Sequence, residues 1–138
     1  MLDGQPIADD FGQIPSVQRC PVSEQERLAG GCGSDDPTAA CQRYTIKAEI
    51  ADIAEDDPST VGEDGRPLKE SVWVSYFTNA GDMDAPLVLV SDAVEGYLGG
   101  DHETGWLPPA EPGIATLWAV VRDQRGGSAL VRRFVRVE

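Results

Sequence analysis

Carboxylate side chains are the residues of this sequence best placed to do chemistry, because they gather in three segments that read as loops. Residues 52–64 hold six of them, Asp92 and Glu95 mark a second segment, and Asp123 lies in a third. Oxygen ligands from several loops suit Ca²⁺, which takes about six to eight of them in tolerant geometry. No EF-hand loop is present. A calcium site would therefore be assembled from separate loops, and the alternative is a solvated acidic surface.

Three cysteines form the second group of reactive side chains. Cys20, Cys32 and Cys41 lie in a segment rich in Gly, Asp, Ser and Pro, at spacings that fit no CxxC metal or redox pattern. Closing a loop of this size with a disulfide stabilises the fold by about 3 kcal/mol in the chain-entropy model. We expect one disulfide, formed in an oxidising compartment, and the spacing leaves its partners open. Free thiols in a reducing cytosol are the alternative.

The sequence lacks the motifs of common enzymes. It has no GxSxG, HExxH, phosphate-binding loop or dinucleotide fingerprint. His102, between two acidic residues of a glycine-rich segment, is expected to be an exposed loop histidine. Trp106 is the one aromatic residue that could be exposed, and it is then a candidate ligand contact because indole rings stack on sugars; covering the open end of the core is the commoner use of such a residue. We therefore expect a protein that is not an enzyme.

Charge limits the partners. Eleven Lys and Arg against 24 Asp and Glu give a net charge of −13, which argues against nucleic acid and anionic lipid as partners. No apolar run approaches the length of a membrane-spanning helix. Five arginines lie in the last 17 positions, at 122, 125, 132, 133 and 136. This basic hairpin predicts packing against the acidic N-terminal segment or self-association with another subunit, and cross-strand ion pairs are the alternative.

Apolar residues follow a period of two from Arg43 onward, which predicts strands. The expected strands cover 44–50, 71–78, 87–90, 102–107, 116–122 and 128–137, with an irregular edge strand within 5–17. Residues 24–30 could form one helical turn. The glycines at 126 and 127 predict an antiparallel hairpin from the last two strands. Arg133 is in phase with buried valines and so requires a bulge or a carboxylate partner.

Four large aromatic side chains are expected to fill the core. Trp73, Tyr76, Phe77 and Trp118 lie in predicted strands and are expected inside. About seven strands and no confident helix predict an all-β sandwich.

Two stretches carry a resemblance to a known family. They are Pro112-Gly113 with Thr116 to Gly127, ending in a Gly-Gly turn, and Asp64-Gly65 with Glu70 to Phe77. Both resemble Ig-like domains of the cadherin-like and PKD-like kind in uncharacterised bacterial envelope lipoproteins. The resemblance implies an Ig-like antiparallel sandwich over residues 43–138, with 1–42 as an irregular cysteine-containing cap or edge of the same domain. Trp73 would take the place of the strand-C tryptophan, although no cysteine pair brackets it.

An Ig-like order of strands would bring the B–C, D–E and F–G loops to one end of the sandwich. Asp56, Asp57, Asp92 and Asp123 then become the candidate Ca²⁺ ligands, and no other cofactor is expected. Residues 1–6 lack the regions of a signal peptide, so the chain is either cytosolic or a segment of a longer exported protein, and the cysteines favour export.

The resemblance and the cysteines together predict a non-catalytic binding or structural module of a bacterial envelope protein. Its location would be periplasmic, outer-membrane-anchored or secreted, and its partner a protein or glycan at the cell surface. The alternatives are a calcium-stabilised adhesion module and a carbohydrate-binding accessory domain of a secreted enzyme.

Overall fold

The computed structural model describes residues 1–29 and 36–138. Strands hold 45% of the chain and helices 7%, which confirms the all-β class. In chain order the elements are a 3-10 helix Phe11–Gln13, β1 Ser16–Val17, α1 Glu24–Ala29, β2 Tyr44–Lys47, β3 Asp56–Val61, β4 Pro67–Lys69, β5 Val72–Thr78, β6 Asp82–Met83, β7 Leu87–Asp92, β8 Gly96–Tyr97, β9 Glu103–Leu107, β10 Gly113–Asp123 and β11 Ser128–Val137.

The strands form one large sheet, one small sheet and a hairpin. The large sheet has the order β1-β11-β10-β5-β7-β8, and the small one has the order β2-β9-β6. In the large sheet β1 runs parallel to β11, and the other pairs are antiparallel. β3 and β4 pair only with each other. The predicted hairpin of the last two strands is confirmed, with Arg122 opposite Ser128 next to its turn.

The core lies between the large and small sheets. The small sheet contributes Tyr44, Ile46 and Trp106, while the N-terminal segment adds Leu2 and Ile7. The large sheet contributes the core residues Val17, Val72, Val74, Tyr76, Val90, Ala115, Leu117, Val135 and Val137. Apolar burial between two layers is the main favourable term in such a fold.

The sequence missed β3, β4, β6 and β8. Residues 56–61 begin Asp-Asp-Pro and five of the six are exposed, so they lack the alternation that marks a half-buried strand. β6 and β8 are two residues long each. The predicted edge strand within 5–17 is confined to β1. The predicted turn at 24–30 forms α1, apart from Gly30, which lies outside the described residues.

The aromatic side chains that are buried differ from those that the sequence predicts. Trp106 is fully buried, with its indole N–H donating to the Ala80 carbonyl at 3.0 Å, so it covers the core and is not a surface ligand contact. Trp73 and Trp118 are only half-buried and Phe77 is 47% exposed. Side chains alternate between the two faces of a strand. On β5 the inner positions go to the valines and Tyr76, which puts Trp73 and Phe77 on the outside.

Tyr76 joins the two layers through its hydroxyl. The hydroxyl donates to the His102 carbonyl at 2.6 Å and accepts from the Ala48 amide at 3.0 Å. Both partners belong to segments that flank strands of the small sheet, whereas Tyr76 lies in the large one. Burial raises the pKa of this hydroxyl above its ordinary value. The bridge thus stays protonated and satisfies two backbone groups at once.

Tyr76→Phe is expected to lower the free energy of unfolding by about 1–3 kcal/mol, because it leaves buried backbone groups without a partner. Urea denaturation followed by circular dichroism measures the change. Tyr97→Phe is the matched control: the Tyr97 hydroxyl donates to the Ile50 carbonyl at 2.9 Å from a half-buried position. An equal loss in the two variants would contradict the special role of Tyr76.

Candidate functional site

The three predicted loops do meet at one end of the molecule. The Gln124 amide group lies 3.5 Å from Asp57 in β3 and accepts a hydrogen bond from the Ser71 amide at 3.3 Å. The Lys69 amide donates to the Ala93 carbonyl at 2.8 Å, which joins β4 to the β7–β8 turn. We call this end the loop pole, formed by residues 55–71, 92–96 and 123–127.

Each of the four predicted calcium ligands has a partner close by. Asp57 accepts from the Ser59 amide at 3.0 Å. Asp92 accepts from the amides of Val94 and Glu95, Asp123 from that of Gly127 at 2.6 Å, and Asp56 pairs with the Lys69 ammonium at 2.7 Å. Among residues 1–29 and 36–138, no three or more His, Cys, Asp or Glu side chains form a group able to hold a metal. The calcium site stays a prediction.

Hydrogen bonds hold two of these aspartates in the charged form. The Ser59 hydroxyl is the main cause of the lowered pKa of Asp57, followed by the Thr60 hydroxyl and the Ser59 amide. The amides of Glu95 and Val94 lower the pKa of Asp92. Donors that bond a carboxylate favour its ionised state. These side chains therefore close their own turns.

Arg125 makes the largest number of contacts among the basic residues of the loop pole, although the sequence indicates only that it is one of the hairpin's arginines. Its Nε pairs with the carboxylate of Glu70, a side chain that is 6% exposed. Its Nη1 lies 3.4 Å from Glu55, and its Nη2 donates to the Asp56 carbonyl at 3.2 Å. The second Glu70 oxygen accepts from the Glu55 amide at 3.2 Å. Part of the basic hairpin thus packs on acidic loops of its own chain.

Arg133 has the carboxylate partner that its strand phase required. Its guanidinium lies 2.6 Å from Asp9 and donates to the Ile7 carbonyl at 3.0 Å. The register with β10 is regular through this position, so a partner and not a bulge resolves the conflict. The predicted packing of the hairpin on the N-terminal segment is present at this contact.

The outward side of the large sheet forms a surface that we call the outer face. Phe77 lies opposite Trp118, which lies opposite Arg132 on the next strand. The outer-face residues are Trp73, Ser75, Phe77, Leu87, Leu89, Ile114, Thr116, Trp118, Val120, Arg122, Ser128, Leu130, Arg132, Phe134 and Arg136. This set holds three arginines and no carboxylate. Asp92, at the loop-pole end of β7, follows on the same side, and its carboxylate accepts from the amides of Val94 and Glu95. Leu87 and Leu130 are each 63% exposed.

The arginines of the outer face have no ion-pair partner among the described residues. Arg132 lies over the ring of Phe134, 5.1 Å from its centre, an arrangement that a cation and an aromatic face favour. Arg122 donates to the Ser75 hydroxyl at 3.3 Å. Their positive charge therefore remains available at the surface.

A largely apolar groove opens on the inner side of the β10–β11 hairpin. Its volume is about 460 Å³. Ala119, Val121 and Val131 form one wall, and Ile50 and Ile53 belong to the opposite one. Along β11 the inner side chains are buried at Val135 and Val137 but exposed at Ala129 and Val131, so the turn end of the hairpin extends beyond the covered part of the sheet.

His102 is buried and belongs to the interior. It is 2% exposed, and its Nε2 lies 2.8 Å from the Ala48 carbonyl. The expectation of an exposed loop histidine is wrong, because the segment that carries it turns inward to begin β9. The ring contacts the carbonyl of Ala48, the residue whose amide donates to the Tyr76 hydroxyl.

The sulfur atoms of Cys20 and Cys41 lie at disulfide distance, with their Cα atoms 4.6 Å apart. This pair selects one of the three pairings that the sequence left open; Cys32 lies outside the described residues. Cys20 is buried, and its amide donates to the Pro109 carbonyl at 3.1 Å. The bond joins the segment after β1 to the segment before β2, and so connects the two sheets.

Comparisons with known proteins add no relative. No protein-family model, curated protein or solved structure matches the chain. In the part of the chain that the structure describes, no helix is long and apolar enough to cross a membrane.

Arg125→Ala is expected to lower the free energy of unfolding by about 1–2 kcal/mol, because it leaves the buried Glu70 carboxylate without its cation. The effect is smaller than for a fully buried pair since Arg125 is half-exposed. Arg66→Ala is the control, because Arg66 and its partner Asp64 are both largely exposed. Urea denaturation should leave the control close to wild type; equal losses would contradict the role of Arg125.

Proposed function

We propose that this chain is a non-catalytic, extracytoplasmic binding module with an Ig-like sandwich, and that it recognises another protein through the outer face. The observation that carries the proposal is the composition of that face. In a chain of net charge −13, it combines half-buried Trp and exposed Phe and Leu side chains with three arginines, and its one carboxylate, Asp92, lies at the loop-pole end. Exposed apolar patches mark interaction sites, and aromatic residues and arginine are enriched in protein interfaces while Asp, Glu and Lys are depleted.

The strand order supports the Ig-like part of the proposal. The run β11-β10-β5-β7-β8 corresponds to the G-F-C-C′-C″ order of a variable-type immunoglobulin sheet, and β2 beside β9 corresponds to B beside E. One departure is β6, which precedes β7 in the chain but pairs with β9. A second departure is the separate β3–β4 hairpin. A third is Trp73, which faces outward, so the buried tryptophan of this fold is Trp106.

The Cys20–Cys41 pair supports an oxidising compartment, because disulfides persist mainly in exported proteins. A protein partner is favoured over a glycan at this surface. Aliphatic side chains are exposed on the face beside the aromatic ring of Phe77, with Leu87 63% and Leu89 41% exposed. Trp106, the residue on which the glycan idea rested, is buried and offers no ring to a sugar.

Photo-cross-linking in the native cell tests the outer face. A photoreactive phenylalanine analogue at Phe77 should give a discrete adduct with one protein. The same analogue at Glu103, an exposed residue of the small sheet, is the control and should give none. The absence of an adduct at Phe77, or the same adduct at both positions, would refute the proposed docking face.

Peptide mapping tests the compartment. Trypsin with Asp-N protease cuts before Cys20, after Arg27 and before Asp35 and Asp36, which separates all three cysteines. Protein isolated from its native cell without reductant should yield the peptide of Cys20 linked to that of Cys41. Recovery of both peptides with free thiols would contradict export. That result would not contradict the all-β fold.

A further inference from the structure

The large sheet has an edge that is unpaired over part of β11. β1 covers this edge only at Arg136 and Val137. Farther back, the N-terminal segment reaches it through the contacts of Arg133 with Ile7 and Asp9. From Ser128 to Arg132, no backbone group of the described residues pairs with the outer edge of β11. These residues are exposed on both sides of the strand.

The contacts of β1 show which backbone groups of β11 point away from β10. The Arg136 amide donates away from β10, to the Pro15 carbonyl at 2.9 Å. Successive residues of a strand direct their backbone groups to opposite neighbours, and the register of β10 with β11 is regular. The amides of Ser128, Leu130 and Arg132 therefore also point away from β10. The Arg132 carbonyl is already bonded by the Arg133 guanidinium at 2.9 Å, which leaves the carbonyls of Ser128 and Leu130 open.

Natural edge strands are usually protected, because a row of free donors and acceptors pairs with other chains. This stretch has no proline and no bulge, and it exposes 63% of Leu130 and 45% of Val131. Val131 points into the apolar groove, whereas Leu130 lies on the outer face. An added strand would thus find apolar surface on both of its sides.

Charge identifies the occupant. Of the five arginines in residues 122–138, Arg125 and Arg133 are paired with carboxylates of this chain. The other three have no ion-pair partner among the described residues, and one of them, Arg132, lies on the outer side of the free edge. A second copy would place one arginine-rich hairpin against another. An extended segment that alternates acidic and apolar residues would instead face Arg132 with its carboxylates and fill the groove with its apolar side chains.

We propose that the edge of β11 from Ser128 to Arg132 binds an extended acidic segment of the partner protein by strand addition. This inference rests on the proposed function, since it names the part of the partner that docks beside the outer face. Main-chain hydrogen bonds would give such a contact its affinity, and the alternating side chains would give its specificity.

A synthetic peptide tests the proposal on the intact chain. The probe is a short blocked peptide that alternates glutamate with valine, and its counterpart carries lysine in place of glutamate. The glutamate peptide should bind at least about tenfold more tightly at low salt. Hydrogen exchange should show the amides of Ser128, Leu130 and Arg132 slowing on binding, while those of Ala129 and Val131 are already slow in the free protein.

Two variants and one control complete the experiment. Leu130→Pro removes the central outward amide but no bond to β10, and should abolish binding while circular dichroism stays unchanged. Arg132→Glu keeps the backbone and should reverse the preference in favour of the lysine peptide. Arg66→Glu reverses an exposed arginine elsewhere and should bind as wild type does.

The outcomes separate this inference from the proposed function. No binding of the glutamate peptide, or binding that leaves the three amides in fast exchange, would overturn strand addition. Peptide-induced NMR shifts confined to Phe77 and Trp118 would also overturn it, while supporting the outer face. Cross-linking at Phe77 judges the outer face independently of either result.

Discussion

The Tyr76 hydroxyl is the contact on which the arrangement of the two layers depends. It places one side chain of the large sheet against two backbone groups next to the small sheet, and this fixes which side of β5 is internal. Because strand faces alternate, the same choice sends Trp73 and Phe77 outward. Because the register between β5 and β10 is regular, Trp118 and Val120 lie on that side as well. The apolar outer face is thus a consequence of how the core is closed.

Much of the strand content could be predicted from the sequence, because alternation is a local property. The side of β5 that faces inward could not, since it is apolar or aromatic at nearly every position and both faces look alike. For Arg133, strand alternation predicts that the side chain points inward and needs a carboxylate partner or a bulge, but it does not identify Asp9 as that partner. The partner of Arg125 could not be predicted from the sequence, because Glu70 comes close only where distant loops of the fold meet.

Charge is distributed by structural role. At the loop pole, aspartates accept hydrogen bonds from amides and hydroxyls that lie close to them in sequence. These carboxylates therefore stabilise the local backbone without any ligand. Two arginines hold the hairpin on acidic parts of the chain. The arginines of the outer face remain without acidic partners among the described residues, beside exposed aromatic and aliphatic side chains. A strongly acidic protein thereby keeps one basic, apolar side.

The short parallel pairing of β1 with β11 has a mechanical consequence. Its bonds run from the Arg136 amide to Pro15 and from the Glu138 amide to Val17, and the Arg19 amide returns to Glu138. Tension that draws the chain before β1 one way and the chain after β11 the other would load these bonds together, in shear. Just beyond them, Cys20 is tied to Cys41. Once these bonds break, the load reaches Cys20, and the covalent link passes it to the second layer.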